Sequence, residues 1–252
     1  MKKSALFLAA LFLTQFFNAQ ENDTWRLGVQ FGMHGNRSRF AEGAEGAHAR
    51  FHQNPYGAGA LQVVGRYDYD KHWKVEAGFG FTGIGYEFAL SENYSLLNPK
   101  NRFSKVQTSS GVLEIPVSVA YKFNPNCNNW KWFISAGIAN VFTGKSEANS
   151  EFTKNNDGPG NAVYLSASSE TQGGAYMHLR FSAGKEKVFQ SGRIFSWAFL
   201  WNVGFREMSQ SHVSYTIDNQ LYKHSFSNRG NFFGFRLTYY FKPLNKPEAV
   251  KK

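Results

Sequence analysis

The sequence predicts an all-β fold: an eight-stranded antiparallel transmembrane β-barrel with short periplasmic turns and four long extracellular loops. Three observations predict it. The run Phe233 to Phe241 places Phe233, Phe235, Leu237, Tyr239 and Phe241 on one face and Gly234, Arg236, Thr238 and Tyr240 on the other, because strand side chains alternate with period two. Seven further runs repeat this apolar and polar alternation. The connections between the eight runs alternate long and short, as bacterial outer-membrane barrels require and soluble sandwiches do not. The apolar faces are therefore assigned to lipid and the polar faces to the lumen.

The chain of 252 residues opens with Lys2 and Lys3, an apolar run from Ala5 to Phe17, and Asn18-Ala19-Gln20. This order of basic, apolar and small-residue regions reads as a secretory signal peptide over residues 1–19, cleaved after Ala19. Residues 20–241 then form the barrel domain, and 242–252 a polar periplasmic tail. After the signal, no apolar run approaches the roughly 18 residues of a membrane helix. Removing Lys2 and Lys3 lowers the formal charge from +10 to +8. An exported chain rarely meets nucleic acid, so lipid phosphates and lumenal ion pairs are the expected uses of that surplus. The chain has 17% aromatic residues and 24 Gly, a composition suited to a lipid-facing exterior around a crowded tube. Cys127 is the sole cysteine, so no disulfide closes within one chain.

In order, the first run is Trp25 to His34, with Trp25, Leu27, Val29, Phe31 and Met33 outward. Leu61 to Tyr69 follows a long polar segment, and a tight turn at Asp70-Lys71-His72 leads into Trp73 to Phe81. Beyond Gly83 the apolar phase changes to Ile84, Tyr86 and Phe88, which predicts a bulge at Gly83 and turns Glu87 inward. The fourth run alternates from Leu113 to Phe123, with Pro116 at a locally distorted site because proline donates no ladder bond. Asn124 to Asn129 reads as a turn. In Trp130 to Val141, Phe133 and Ile134 compete for the outside. Met177 to Gly184, a short link over 185–192, Phe195 to Arg206 and the terminal run complete the set. The intervening stretches, about 35–56, 90–109, 144–173 and 207–230, read as long polar loops.

Trp25, Tyr67, Tyr69, Trp73, Tyr121, Phe123, Trp130 and Trp132 all fall near the predicted periplasmic ends, as an interfacial aromatic girdle requires. The predicted lumen holds Arg26, Arg66, Lys74, Lys122, Arg180, Arg206 and Arg236 against Asp68, Glu76, Glu87 and Glu114. Eight strands leave room only for side chains, so these charges are expected to pair and plug the tube. A narrow ion path is the alternative.

The motifs with a chemical reading are weak. Gly78-Phe79-Gly80-Phe81-Thr82-Gly83 spells a dinucleotide fingerprint, but that motif needs a strand followed by a helix, and here it lies inside an alternating strand. His224-Ser225-Phe226-Ser227-Asn228 superficially resembles a lipid A deacylase motif with one residue too many, and no Asp or Glu stands between Ser225 and Phe241 to orient the His. His212 with Ser209, Ser211 and Asp218 has the same weakness. His34, His48 and His52 share no metal-ligand spacing. No catalytic residue, metal site or cofactor is expected.

Leu113-Glu114-Ile115-Pro116-Val117, Ala120-Tyr121-Lys122-Phe123, Phe133-Ile134-Ser135-Ala136-Gly137 and Leu237-Thr238-Tyr239-Tyr240-Phe241, behind a signal peptide, resemble the PorT-like outer-membrane β-barrel family over most of the mature chain. The resemblance implies an eight-stranded barrel, and the family's namesake is linked to a protein-secretion apparatus. Gly234, Leu237, Tyr239 and Phe241 also resemble the terminal signal read by the barrel-assembly machinery, the partner expected during biogenesis. The expected function is a structural or interaction role through the outer loops, with outer-membrane lipid around the barrel and both termini periplasmic. A transport component, either a small pore or a subunit of a secretion complex, is the alternative, and a lipid A-modifying enzyme a further one.

Overall fold

The structure, a computed structural model, describes residues 24–36, 39–40, 51–91, 103–123, 130–155, 162–217 and 220–244. The expected signal peptide, the Asn124 to Asn129 turn and most of the polar tail lie outside them. Eight of the described strands close into a barrel: β1 (Thr24–Asn36), β3 (Phe51–Asp68), β4 (Trp73–Ser91), β5 (Phe103–Lys122), β6 (Trp130–Thr143), β9 (Gly174–Val188), β10 (Ile194–Gly204) and β13 (Phe232–Tyr240). Five more, β2 (Arg39–Phe40), β7 (Ser146–Asn155), β8 (Ala162–Thr171), β11 (Ser209–Ile217) and β12 (Gln220–Asn228), form a second sheet. No helix among the described residues is long and apolar enough to cross a membrane.

Every pairing around the ring is antiparallel, in the order β1-β13-β10-β9-β6-β5-β4-β3. The first strand closes on the last, from Gly28 opposite Tyr240 to Asn36 opposite Phe232. Closure leaves no unpaired strand edge, which in lipid would cost several kcal/mol per unsatisfied group. Toward the turn end, the burial along the barrel strands is inverted relative to a water-soluble sheet. On β13 the polar phase, Arg236 and Thr238, is buried, whereas Phe233 is 62% exposed. Phe31, Phe81 and Trp201 are exposed in the same way on β1, β4 and β10. A water-soluble monomer rarely carries an apolar surface this continuous, and it fits a wall that faces acyl chains.

Curvature sets where glycine is needed. A Cβ on Gly80 would lie 2.1 Å from the Leu61 carbonyl oxygen, and one on Gly184 would lie 2.0 Å from that of Trp197. Both sit on the inward phase, where a small ring folds neighbouring backbones together. The glycines of the apparent dinucleotide fingerprint thus serve strand packing. At Pro116 the β4–β5 ladder skips Gly78 and Phe79, resuming at Gly80 opposite Glu114, which is the local distortion expected of a proline in a sheet.

The expected phase change at Gly83 does not occur. The β4–β5 ladder runs through Gly83 opposite Gly111 and Ile84 opposite Ser110 without a shift. The irregularity lies on β3, where Tyr56 to Gly59 stand against Gly83 to Gly85 of β4, one residue more than the partner strand supplies. Ile84, Tyr86 and Phe88 therefore keep the inward phase of Glu76 and Thr82 and are buried. Glu87 points outward, accepting from Gln107 Nε2 at 2.8 Å. On β6 the competition is resolved with Phe133 inside and Ile134 outside.

The described parts of the stretches read as polar loops are largely strands. β3, β4 and β5 run on past the other strands, and the second sheet, ordered β2-β12-β11-β8-β7, faces their extension. Between them lies an apolar core that includes Ile84, Tyr86, Phe88, Leu165, Tyr215 and Phe226, with the Phe88 and Phe226 rings 5.0 Å apart. The molecule thus has a polar core within the lipid-facing wall and a dry apolar core at the loop end.

Candidate functional site

The lumen is the most elaborate polar site among the described residues. It is built from inward positions of all eight barrel strands, and it combines pairs along one strand, Arg66 with Asp68 and Lys74 with Glu76, with pairs that cross the tube. Nearest the short turns, Arg66 on β3 donates from Nη1 to Glu186 Oε2 at 2.8 Å and from Nη2 to Glu186 Oε1 at 3.0 Å. The same guanidinium donates to Asp68, at 3.0 Å from Nε and 2.6 Å from Nη2. Asp68 also accepts Lys122 Nζ at 2.7 Å and Arg26 Nη1 at 2.5 Å. Lys74 Nζ joins Glu186 at 2.9 Å and Glu76 at 2.8 Å, and lies 3.9 Å above the Phe133 ring. Tyr240 O–H donates to Glu76 at 2.6 Å, with Arg236 at 3.5 Å from the same carboxylate.

Further toward the loop end, Glu114 on β5 pairs with Arg180 on β9. Glu114 also accepts Gln62 Nε2 at 2.5 Å and Thr82 Oγ1 at 3.0 Å. Gln30 Nε2 donates to Gln62 at 2.8 Å, and Arg236 Nη2 to Ser182 Oγ at 3.0 Å. Arg180 Nε donates to Asn202 Oδ1 at 3.0 Å. Beyond this layer His34 Nε2 meets the Gly83 carbonyl at 2.8 Å and stacks on Phe232. Arg66, Lys74, Glu114, Arg180 and Glu186 are each at most 2% exposed. Charges taken this far from water persist only when paired and hydrogen-bonded, and their pairing fills the tube with side chains.

Of the predicted lumenal residues, Arg26, Arg66, Lys74, Glu76, Glu114, Lys122, Arg180 and Arg236 join this network together with Asp68. Arg206 does not. β10 ends at Gly204, where a Cβ would collide with the Arg229 carbonyl, and the chain bends away. Arg206 is exposed there, 5.8 Å over the Tyr176 ring. Glu186, which the sequence reading put in a short link, is the carboxylate on which Arg66 and Lys74 converge. The signal that could have found it is the inward series Arg180, Ser182, Gly184, which continues unbroken to Glu186.

At the turn end, Trp25, Tyr69, Trp73, Tyr121, Phe123, Trp130 and Trp132 lie at or beside the strand termini, with Tyr69 64% and Trp73 46% exposed. Trp73 packs edge-on to Tyr121 at 5.1 Å. Tyr67 departs from the girdle, for it is 2% exposed and packs beneath Trp25 at 4.9 Å. The chain past β13 also returns to this end, where Leu244 N–H donates to the Trp25 carbonyl at 2.9 Å.

The second sheet brings together two sequence candidates. His212 Nδ1 and Ser225 Oγ are 2.9 Å apart across the β11–β12 ladder, whereas His224 turns to the inner face and meets Tyr215 Oη at 3.0 Å. Burial holds the His224 imidazole below its usual pKa. Asp218 and His48 lie outside the described residues, as does the His52 side chain. No three His, Cys, Asp or Glu side chains among the described residues are placed to hold a metal ion.

Residues 18–193 match the family model described as outer membrane protein beta-barrel domain. The chain belongs to that family. As an outer membrane protein beta-barrel, it resides in the bacterial outer membrane, the medium its exposed apolar wall requires. No curated protein matches it. Among solved structures, the chain is similar to the outer membrane protein OprG from Pseudomonas aeruginosa, at 10% identity and TM-score 0.45, over 89% of this chain and 98% of that one. It is also similar to a major outer membrane protein from Thermus thermophilus, at 12% identity and TM-score 0.42, over 86% and 98%. A third is the outer membrane protein AlkL in lipid bilayers, at 12% identity and TM-score 0.36, over 92% and 95%.

Proposed function

We propose that this outer membrane barrel neither catalyses a reaction nor conducts through its lumen, and that it acts as a structural or interaction protein through the sheet at its loop end. The supporting observation is that the tube is obstructed twice. An ion-paired polar layer, in which Arg66 and Glu186 bridge β3 and β9, is followed by an apolar core around Phe88, Leu165 and Tyr215. A conducting pore needs mobile water along its axis, and both layers replace it with side chains. In this reading the short turns and both termini are periplasmic, and the second sheet meets partners outside the cell. Reconstituted in a planar bilayer, the protein is expected to give no stable single-channel steps. Large, long-lived steps would overturn the reading.

A second reading, an accessory subunit of a secretion complex, is favoured by the PorT-like resemblance of Leu113 to Val117 and the terminal Leu237 to Phe241. Crosslinking in intact membranes separates the two: the first reading yields no stoichiometric partner from a secretion apparatus, whereas a subunit yields one.

A further inference from the structure

The lipid-facing wall is not uniformly thick. Ala136 on β6 pairs with Phe181 of β9, and Ala183 on β9 pairs with Ile134 of β6. Each small outward residue therefore stands opposite a large one, and the two alanines are diagonal neighbours. They floor a groove of about 590 Å³ whose sides include Trp73, Tyr121, Phe199 and Trp201, a volume within the range of ligand clefts.

Charge marks one end of this groove. Lys185 follows Ala183 by two residues on the same outward phase of β9, and its Nζ lies 4.2 Å over the Trp132 ring. Lys187, one further outward position along, has its Nζ 5.8 Å from the Trp130 ring centroid and 5.7 Å from that of Phe189. Both lysines lie at the turn end, among the aromatic residues that sit at headgroup depth. An ammonium held beside aromatic rings at headgroup depth is how a lysine serves a lipid boundary.

We propose that this groove is a binding site for one anionic glycerophospholipid of the leaflet at the turn end. One acyl chain lies over Ala136 and Ala183, and the phosphate sits between Lys185 and Lys187. A second copy of the protein fits less well. A twofold axis along the membrane normal would keep the lysines of both copies in one leaflet and face them toward each other, a like-charge contact that costs affinity.

The test is native mass spectrometry of the full mature protein in mild detergent, titrated with dioleoylphosphatidylglycerol or dioleoylphosphatidylcholine. The wild type is expected to retain one phosphatidylglycerol under activation that strips phosphatidylcholine. Lys185→Gln and Lys187→Gln are each expected to lower that preference about fivefold. Ala183→Trp, which fills the floor, should abolish retention while heat-modifiable electrophoretic mobility stays native; if it does not fold, Ala136→Leu makes the same test. Equal retention of the two lipids by the wild type, undiminished retention in the filled variant, or a dimer that Ala183→Trp dissolves would each overturn the assignment.

Discussion

Arg66 and Glu186 form a bidentate ion pair across the full width of the barrel. β3 and β9 stand four places apart in a ring of eight, so the two hydrogen bonds at 2.8 and 3.0 Å span a diameter rather than a strand gap. The pair acts as an internal strut, and Glu186 also holds Lys74 from β4.

Removing Glu186 leaves two buried cations without their shared partner. Glu186→Ala is expected to destabilise the folded barrel by about 3–5 kcal/mol, the usual consequence of breaking a buried pair. The double variant Arg66→Met with Glu186→Leu should recover much of that loss, because Arg66 leaves with its partner while Lys74 keeps Glu76 and Asp68 keeps Lys122 and Arg26. Urea unfolding in lipid vesicles, arranged as a double-mutant cycle, measures both. A loss below about 1 kcal/mol for the single variant would show that the strut is not structural.

The inward glycines are expected to be intolerant for a backbone reason. Gly184→Ala forces a Cβ against the Trp197 carbonyl, and should cost at least about 2 kcal/mol or prevent folding. Gly57→Ala, with nothing within 4 Å of its Cβ, is the control and should retain the heat-modifiable band of the wild type.

The loop-end core should melt separately from the membrane ring. Phe88→Ala removes a fully buried ring that packs on Phe226, and about 3–5 kcal/mol is expected from that deletion. Hydrogen exchange read by mass spectrometry should show faster exchange in β11 and β12 with β13 unchanged. Equal acceleration in β13 would mean that the two cores unfold as one.

Acid should loosen the same region through His224. Its pKa is lowered by burial, so the unfolded sheet binds a proton that the folded sheet refuses. Stability therefore falls as pH drops below the ordinary histidine value of about 6.5 and is fully present above it. The short contact to Tyr215 fits a hydroxyl donating to an unprotonated Nε2. Protection factors in β11 and β12, with the intrinsic exchange rate corrected for pH, should fall between about pH 7 and pH 5 in the wild type and lose that fall in His224→Gln; the same fall in the variant would contradict the assignment.

The eight barrel strands were legible because one rule, apolar outward and polar inward, holds wherever lipid is the outer medium. The same rule misread Ile84, Tyr86 and Phe88. Beyond the lipid-facing span the outside is water, so the inward phase becomes the apolar one while the backbone phase continues unchanged. The second sheet escaped for a related reason. β8 and β11 do alternate, with Leu165, Ala167, Val213 and Tyr215 buried, but serines fill the intervening positions and the apolar signal per strand is short. Glu186 was missed where β9 outlasts its last outward apolar residue, and Arg206 was misplaced where β10 stops before its alternation does.

The most direct measurement is a nitroxide scan of β13 in reconstituted vesicles, from Phe232 to Tyr240. Labels at Phe233, Phe235, Leu237 and Tyr239 should be accessible to oxygen dissolved in lipid and shielded from a water-soluble paramagnetic reagent. Labels at Arg236 and Thr238 should be shielded from both. A water-accessible series at Phe233 to Tyr239, or no alternation at all, would contradict a barrel whose polar core is sealed inside a lipid-facing wall.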